Sequence, residues 1–317
     1  MQAINSLDAL DKKILVELMQ DSRLPVTSLA KKLHSSREVV NYRIKKMQEQ
    51  KIILEFISEI DIEKLGFSMA SLFLSIKSDA EDELKKFLKS CPYTAWTSEF
   101  SGVWNFGIGI YGKDTEEIHQ RFVIIYDKFK ENIVDYRLTF HKLTKQFYEK
   151  YLGIQTILLN KKYLAHKVDA KDKILLKELS KNSRLDCVML SRKVRLTAVA
   201  TANRIRQLKK SGIISRFSVF IDPSTLGLFQ FSVFIKNNVI NNRSQLIKHL
   251  ETHPSVSFVV EYLGDPFIEF GLIASNPYDA RRIVQHIEGR FPNTRIVELF
   301  LIQNEILSIG LPSCVFD

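Results

Sequence analysis

Cysteine is scarce. Three are present in 317 residues, Cys91, Cys187 and Cys314, far apart and without a CxxC spacing. An odd, scattered set argues against a disulfide framework or a cysteine zinc site and fits a reducing compartment. Long apolar runs are also missing. The longest charge-free stretches, such as Phe100 to Gly112, reach about a dozen residues, against the roughly 18 needed for a spanning helix. No membrane association is therefore expected. The start, MQAINSLDALDKK, lacks the basic segment and apolar core of a signal peptide, so a cytoplasmic protein is expected. Acidic residues are short as well: 36 Asp and Glu against 46 Lys and Arg give a formal charge of +10, which suits a polyanionic partner. With 45% hydrophobic and 26% charged residues, a mostly disordered chain is excluded.

Several catalytic signatures are absent. There is no GxxxxGK[ST] phosphate loop, no GxSxG and no HExxH. Of seven histidines, His249 and His253 stand four apart, a spacing able to hold a metal. No third ligand is near in sequence, and a surface pair is the simpler reading. No catalytic residue, metal site or cofactor is expected.

The chain does contain a long internal repeat. Leu7-Asp8-Ala9 returns as Val168-Asp169-Ala170, Ser22-Arg23-Leu24 as Ser183-Arg184-Leu185, Arg43-Ile44 as Arg204-Ile205, and Leu65-Gly66 as Leu226-Gly227, each pair 161 apart. The echo continues one residue out of step in Glu99 and Glu261, and in Gly102 and Gly264. Such a period is too long for a solenoid and marks a duplicated two-domain unit.

Each copy opens with three helical patterns. In the first, Leu10, Ile14, Leu15 and Leu18 precede Leu29, Ala30 and Leu33. A third helix follows with Val40, Ile44 and Met47 inward. Ser35 and Glu38 have capping-box spacing. In the second copy Thr197 is the N-cap of the third helix and Gly212 its stop, where the first copy has Lys51. The period then changes to two from Ile53 to Ile60, a strand or wing. Beyond it come strand 68–77, helix 79–90, strands 93–101 and 104–112, helix 114–130 and strand 133–142. The second copy repeats the series at 228–236, 243–253, 255–263, 267–275, 277–291 and 294–303. The expected fold class is α+β: a duplicated unit of winged helix-turn-helix plus ferredoxin-like βαββαβ domain. The expected domains are 1–62 and 167–223 (winged helix-turn-helix) and 63–145 and 224–306 (ferredoxin-like), with a linker at 146–166 and a tail at 307–317.

Three short helices with a basic third helix can place that helix in a major groove while surrounding cations neutralise phosphates. Residues 31–51 hold seven Lys or Arg against Glu38 and Glu49. Residues 187–221 hold eight with no acid. The unit resembles the Lrp/AsnC, or leucine-responsive regulator, family. The resemblance is carried by Leu7-Asp8-Ala9-Leu10-Asp11, by Arg43-Ile44-Lys45-Lys46-Met47 and Arg204-Ile205-Arg206-Gln207-Leu208, by Gly212-Ile213-Ile214 and by the two Leu-Gly turns. It covers about 290 residues and implies a DNA-binding transcriptional regulator, with double-stranded DNA as partner. Family members usually carry one unit per chain and dimerise through the sheet domain, so this chain resembles a covalent pseudo-dimer. Pairing within one chain and pairing between chains, as a homo-oligomer through the ferredoxin-like domains, both stay open.

The expected DNA-binding residues are Ser36, Arg37, Glu38, Asn41, Tyr42, Arg43, Lys45 and Lys46 in the first copy. In the second they are Thr197, Val199, Asn203, Arg204, Arg206 and Lys209. Asn suits adenine and Arg or Lys suits guanine. The second head, with Ala198, Val199 and Ala202, is smaller and less polar, so the first is expected to be the more base-selective. Arg43 and Arg204 suit either a phosphate or a brace for the helix. The resemblance also implies a small-molecule effector, such as an amino acid, at the turn after the second sheet strand. Here the positions are Gly102 and Asn105, then Gly264 and Asp265. Asn105 stands where the family has an acid and offers only neutral hydrogen bonds. A turn that merely packs the interface is the other reading. Siroheme decarboxylases are similar to two such units, but carry His, Tyr and Arg where this chain has Thr97 to Ser101 and Val259 to Leu263. The expectation is a regulator and not an enzyme, with that decarboxylase class and an effector-free architectural DNA binder as alternatives.

Overall fold

The computed structural model describes residues 7–147, 150–152, 164–237, 243–264, 267–307 and 311–317. The chain divides into two compact units. One comprises Met1–Phe67, Ile157–Leu226 and Ile309–Asp317; the other comprises Ser68–Thr156 and Gly227–Ser308. Like therefore packs with like: both helical domains form one unit and both sheet domains the other.

The helical unit contains α1 (Ala9–Gln20), α2 (Val26–Lys32) and α3 (Arg37–Glu49), then strand β1 (Ile53–Ile60). Its second half holds α6 (Ala170–Lys181), α7 (Cys187–Val194), α8 (Ala198–Lys210) and strand β6 (Ile214–Ile221). Asp8 and Asp169 begin α1 and α6 with full capping boxes, each paired with the Asp three residues on. Ile14, Leu15 and Leu18 from α1 and Val40, Ile44 and Met47 from α3 fill the first core; Leu175, Leu176, Leu179, Ile205 and Leu208 fill the second. Two details differ from expectation. Ser36, not Ser35, caps α3, its Oγ accepting from the Val39 amide at 3.1 Å; the Ser35–Glu38 box does not form because the helix starts one residue later. Lys51 adopts the left-handed φ of 57° where Gly212 has 71°, so a lysine holds a conformation that favours glycine.

The strand after each triple pairs with its counterpart. β1 and β6 form a two-stranded antiparallel sheet in which Glu59 lies opposite Arg216 and Glu55 opposite Phe220. Beside it the repeated Ser-Arg-Leu triplets interlock. Ser22 Oγ and Ser183 Oγ lie 2.6 Å apart. The Ser22 amide donates to the Phe217 carbonyl and the Ser183 amide to that of Phe56.

The second unit holds β2 (Ser68–Ile76), α4 (Glu81–Ser90), β3 (Thr94–Ser101), β4 (Phe106–Gly112), α5 (Thr115–Phe129) and β5 (Ile133–Gln146). It continues with β7 (Phe229–Asn237), α9 (Arg243–Thr252), β8 (Val256–Leu263), β9 (Ile268–Ala274), α10 (Pro277–Arg290) and β10 (Thr294–Leu307). Each half has the ferredoxin-like order, and the eight strands close into a barrel, β10-β3-β4-β2-β5-β8-β9-β7. The last strand of each half outruns its expected end, 146 against 142 and 307 against 303. The added residues make the seams: β5 runs from β2 on to β8, and β10 from β7 on to β3. Phe73, Phe100, Trp104, Phe234, Val260, Tyr262 and Phe300 pack together across the halves.

Candidate nucleic-acid interface

Burial of Val40, Ile44 and Met47 fixes the roll of α3, and Thr201, Ile205 and Leu208 fix that of α8. The opposite faces are open. Ser36, Arg37, Glu38, Asn41, Tyr42 and Lys45 are exposed, and Lys46 is half-buried; Tyr42 is 63% exposed. On the second helix Thr197, Val199, Asn203 and Arg206 are exposed, and Val199 is 70% open to solvent although apolar. Thr197 Oγ1 accepts from the Ala200 amide, so Ser36 and Thr197 both cap their helices. Arg206 Nη1 donates to Asn203 Oδ1 at 2.5 Å.

Arg43 and Arg204 are braces. Arg43 reaches back to the Asp8 carboxylate and lies 3.2 Å from Asp11. Arg204 lies 2.8 Å from Asp169 and 2.9 Å from Asp172. The hydrogen bond with Asp172 holds the Arg204 guanidinium above its ordinary pKa. The Asp of each opening motif thus caps the first helix and anchors the third, which explains why Asp-x-x-Asp recurs beside a distant Arg. Lys209 is also engaged, 3.2 Å from Asp21 and over the Phe217 ring. Sequence reasoning noticed Arg23 and Arg184 only as repeat markers. Arg23 donates to the Ser183 and Leu185 carbonyls and sits over Phe217, while Arg184 lies over Phe56. Their role appears only once the two copies face each other; the repeated Ser-Arg pair was the available signal.

The turn residues lie in the sheet unit. Gly102 has φ 148°, and a Cβ there would come within 2.6 Å of the Phe300 ring, so glycine is required by close packing. Asn105 Oδ1 accepts from the Ile76 amide at 2.7 Å, and its own amide donates to Leu74. That side-chain oxygen is committed to the backbone of β2. Gly264 has φ 112°; Asp265 lies outside the described residues, as do Lys161, Lys162 and Tyr163. His249 and His253 meet edge to face with centroids 5.9 Å apart. Among the described residues no group of three or more His, Cys, Asp or Glu side chains is arranged to hold a metal ion, and no helix is long and apolar enough to cross a membrane.

Residues 7–48 match the AsnC-type helix-turn-helix domain. The HTH-type transcriptional regulator FL11 of Pyrococcus horikoshii is 30% identical over 114 residues, covering 36% of this chain and 76% of FL11. The regulator PH0045 of the same organism is 46% identical over 66 residues, 21% of this chain and 43% of PH0045. This chain thus spans about two fifths of the length of that relative. From end to end the fold is similar to the crystal structure of the siroheme decarboxylase NirDL, with a TM-score of 0.65 and 13% identity over 96% of this chain and 94% of that one. NirDL has also been solved with an iron-uroporphyrin III analogue. This likeness overturns the expectation of a chain that is not an enzyme, because the fold matched along the whole chain is an enzyme's. A fold is a scaffold that hosts unrelated chemistries; the missing phosphate loop and serine elbow speak only against the reactions that need them. FL11 is 30% identical and covered over 76% of its length, and in this chain the helical triple and the βαββαβ half each occur twice. The chain belongs to the Lrp/AsnC family of helix-turn-helix regulators and carries two family units in one polypeptide.

Proposed function

We propose that this protein is a sequence-specific DNA-binding transcriptional regulator of the cytoplasm, an intramolecular pseudo-dimer that offers two unlike heads to double-stranded DNA. The observation that carries the reading is the pair of braced third helices. Each buries one face, is tied by an arginine to an acidic helix start, and leaves a basic, polar face open. On α3, Arg37, Asn41, Tyr42 and Lys45 are the base-reading candidates, with Glu38 beside them. On α8, Val199 and Asn203 offer smaller contacts, with Arg206 as the cation. Arg43, Arg204 and Lys209 support the helices through protein contacts and act on DNA through them. The geometry gives the effector reading no support at Asn105, whose oxygen accepts from the Ile76 amide of β2. Selection of bound duplexes from a random-sequence pool at several salt concentrations tests the proposal. Enrichment of a two-part motif supports it. Binding with a steep salt slope but no enrichment makes the protein architectural, and no binding at low salt rejects the DNA reading.

A second reading is favoured by the whole-chain likeness to NirDL: a fused enzyme acting on a siroheme-like tetrapyrrole in the sheet unit. Titration with siroheme, followed by its visible absorbance, separates the two. A saturable spectral change supports the enzyme, and an unchanged spectrum removes it.

A further inference from the structure

Residues separated by the repeat length mark the pseudo-twofold relation of the halves, because equivalent positions touch only near such an axis. Among the described residues, three pairs do so at a separation of 161. Ser22 meets Ser183 in the helical unit. Phe73 meets Phe234 edge to face at 4.9 Å in the barrel. Arg137 meets Glu298, each terminal guanidinium nitrogen 3.2 Å from a carboxylate oxygen; the two are equivalent by strand register, Arg137 lying opposite Phe73 and Glu298 opposite Phe234. A twofold axis between identical subunits brings each such residue against itself. Serine and phenylalanine tolerate that. Arginine and glutamate do not: two first halves would set Arg137 against Arg137, and two second halves Glu298 against Glu298. Trp104 fixes the arrangement, its indole Nε1 donating to Glu298 at 3.3 Å while its ring lies under the Arg137 guanidinium at 5.0 Å.

The two-stranded sheet carries the same asymmetry. Glu59 lies opposite Arg216 and is bound by it at 3.1 and 2.6 Å. The repeat makes Arg216 the counterpart of Glu55, and Phe220 that of Glu59. In the same register, two first halves would place Glu59 opposite Glu55 at both ends of the sheet. Like charges directly opposite are destabilising.

We propose that the two halves are a matched pair: within each unit, residues on and beside its own pseudo-twofold axis have diverged so that the partner each half fits is the other kind, and neither kind pairs with itself. Every folded pair then holds one α3 head and one α8 head. With the DNA-binding reading above, the binding site has two unlike half-sites; that consequence rests on the reading, whereas the pairing rule does not.

The test uses full-length chains carrying Arg137→Glu, Glu298→Arg or both, followed by thermal melting and light-scattering mass. Each single variant puts like charges on the axis and melts lower by about 5 °C or more, a shift expected for a unit of this size. The double variant returns close to wild type. The two singles, unfolded together and refolded as an equimolar mixture, form a species of two chains in which Glu at 137 meets Arg at 298. If the singles melt with the wild type, if the double is no better than the singles, or if the mixture stays single-chained, the proposal is overturned. Glu59→Arg with and without Arg216→Glu repeats the test in the helical unit should a barrel variant fail to fold. Recovery in the double supports the matched pair, and equal melting of single and double overturns it. Neither readout involves DNA, so failure here is distinct from failure of the DNA reading.

Discussion

Replacing Glu269 by glutamine should flatten the pH dependence of stability. Glu269 is 1% exposed on β9. Its carboxyl group accepts from Ser232 Oγ at 2.5 Å and from the Tyr262 hydroxyl, whose oxygen also lies 3.2 Å from Ser71 Oγ. Burial pushes its pKa from 4.5 up to about 7, against the pull of the two hydroxyls. Because the folded value lies above the unfolded one, the fold binds this proton more tightly than the unfolded chain does. The contribution is fully present below pH 4.5, declines as the pH rises, and is gone above pH 7. The gap, at roughly 1.4 kcal/mol per pH unit, amounts to about 3 kcal/mol. Glutamine keeps the shape and the oxygen acceptor but never ionises. Glu269→Gln should therefore match wild type near pH 4.5 and exceed it at pH 8 by up to about 3 kcal/mol, or roughly 6–12 °C in melting temperature for a unit of this size. Melting both proteins from pH 4.5 to 8.5 and plotting the difference removes the contribution of every other group. Parallel curves would refute the reasoning, for they would mean that Glu269 titrates normally inside the barrel.

Other outcomes follow from the same geometry. Lys51→Gly should stabilise the first head by about 1 kcal/mol, since glycine adopts the left-handed φ without a Cβ penalty; denaturant unfolding checks this, and a loss of stability would mean that the lysine side chain supplies a compensating contact. Ser36→Ala should cost about 1 kcal/mol by leaving the Val39 amide uncapped, measured by the same titration. Arg206→Ala should reduce the slope of log affinity against log salt by about 0.9, the loss of one neutralised phosphate. Asn41→Ala should instead relax base preference at one position while leaving that slope unchanged, as read by competition among operator variants.

Much of the architecture was legible because it is locally encoded. The triple helices follow from apolar spacing around Ile14, Ile44, Leu176 and Ile205, and the βαββαβ halves from clean alternation and helical periods. The duplication was visible without any structure. What could not be read depends on contacts between the copies. The extension of β5 to Gln146 and β10 to Leu307 has no local signal, since the added residues pair with strands of the other half. The same holds for Arg137 and Glu298, ordinary surface charges until their 161-residue separation becomes a 3.2 Å contact. At the candidate interface, burial of Val40 and Ile44 foretold which side of α3 is open. Arg43 left two roles available, and only the position of Asp8 and Asp11 selected the brace.

The seams of the barrel also govern how the protein is made. Closure requires Thr97–Ser101 of β3 to meet Leu301–Leu307 of β10, some two hundred residues later in synthesis. Until that C-terminal strand leaves the ribosome, β3 and β7 present unpaired backbone edges. Exposed edges invite pairing with other nascent chains, and a closure of such long sequence separation is slow. The protein is therefore most vulnerable before its last strand arrives: a chain truncated shortly before Leu301 would retain most of its secondary structure yet leave that seam open, and aggregation of such a fragment during translation is the failure to expect.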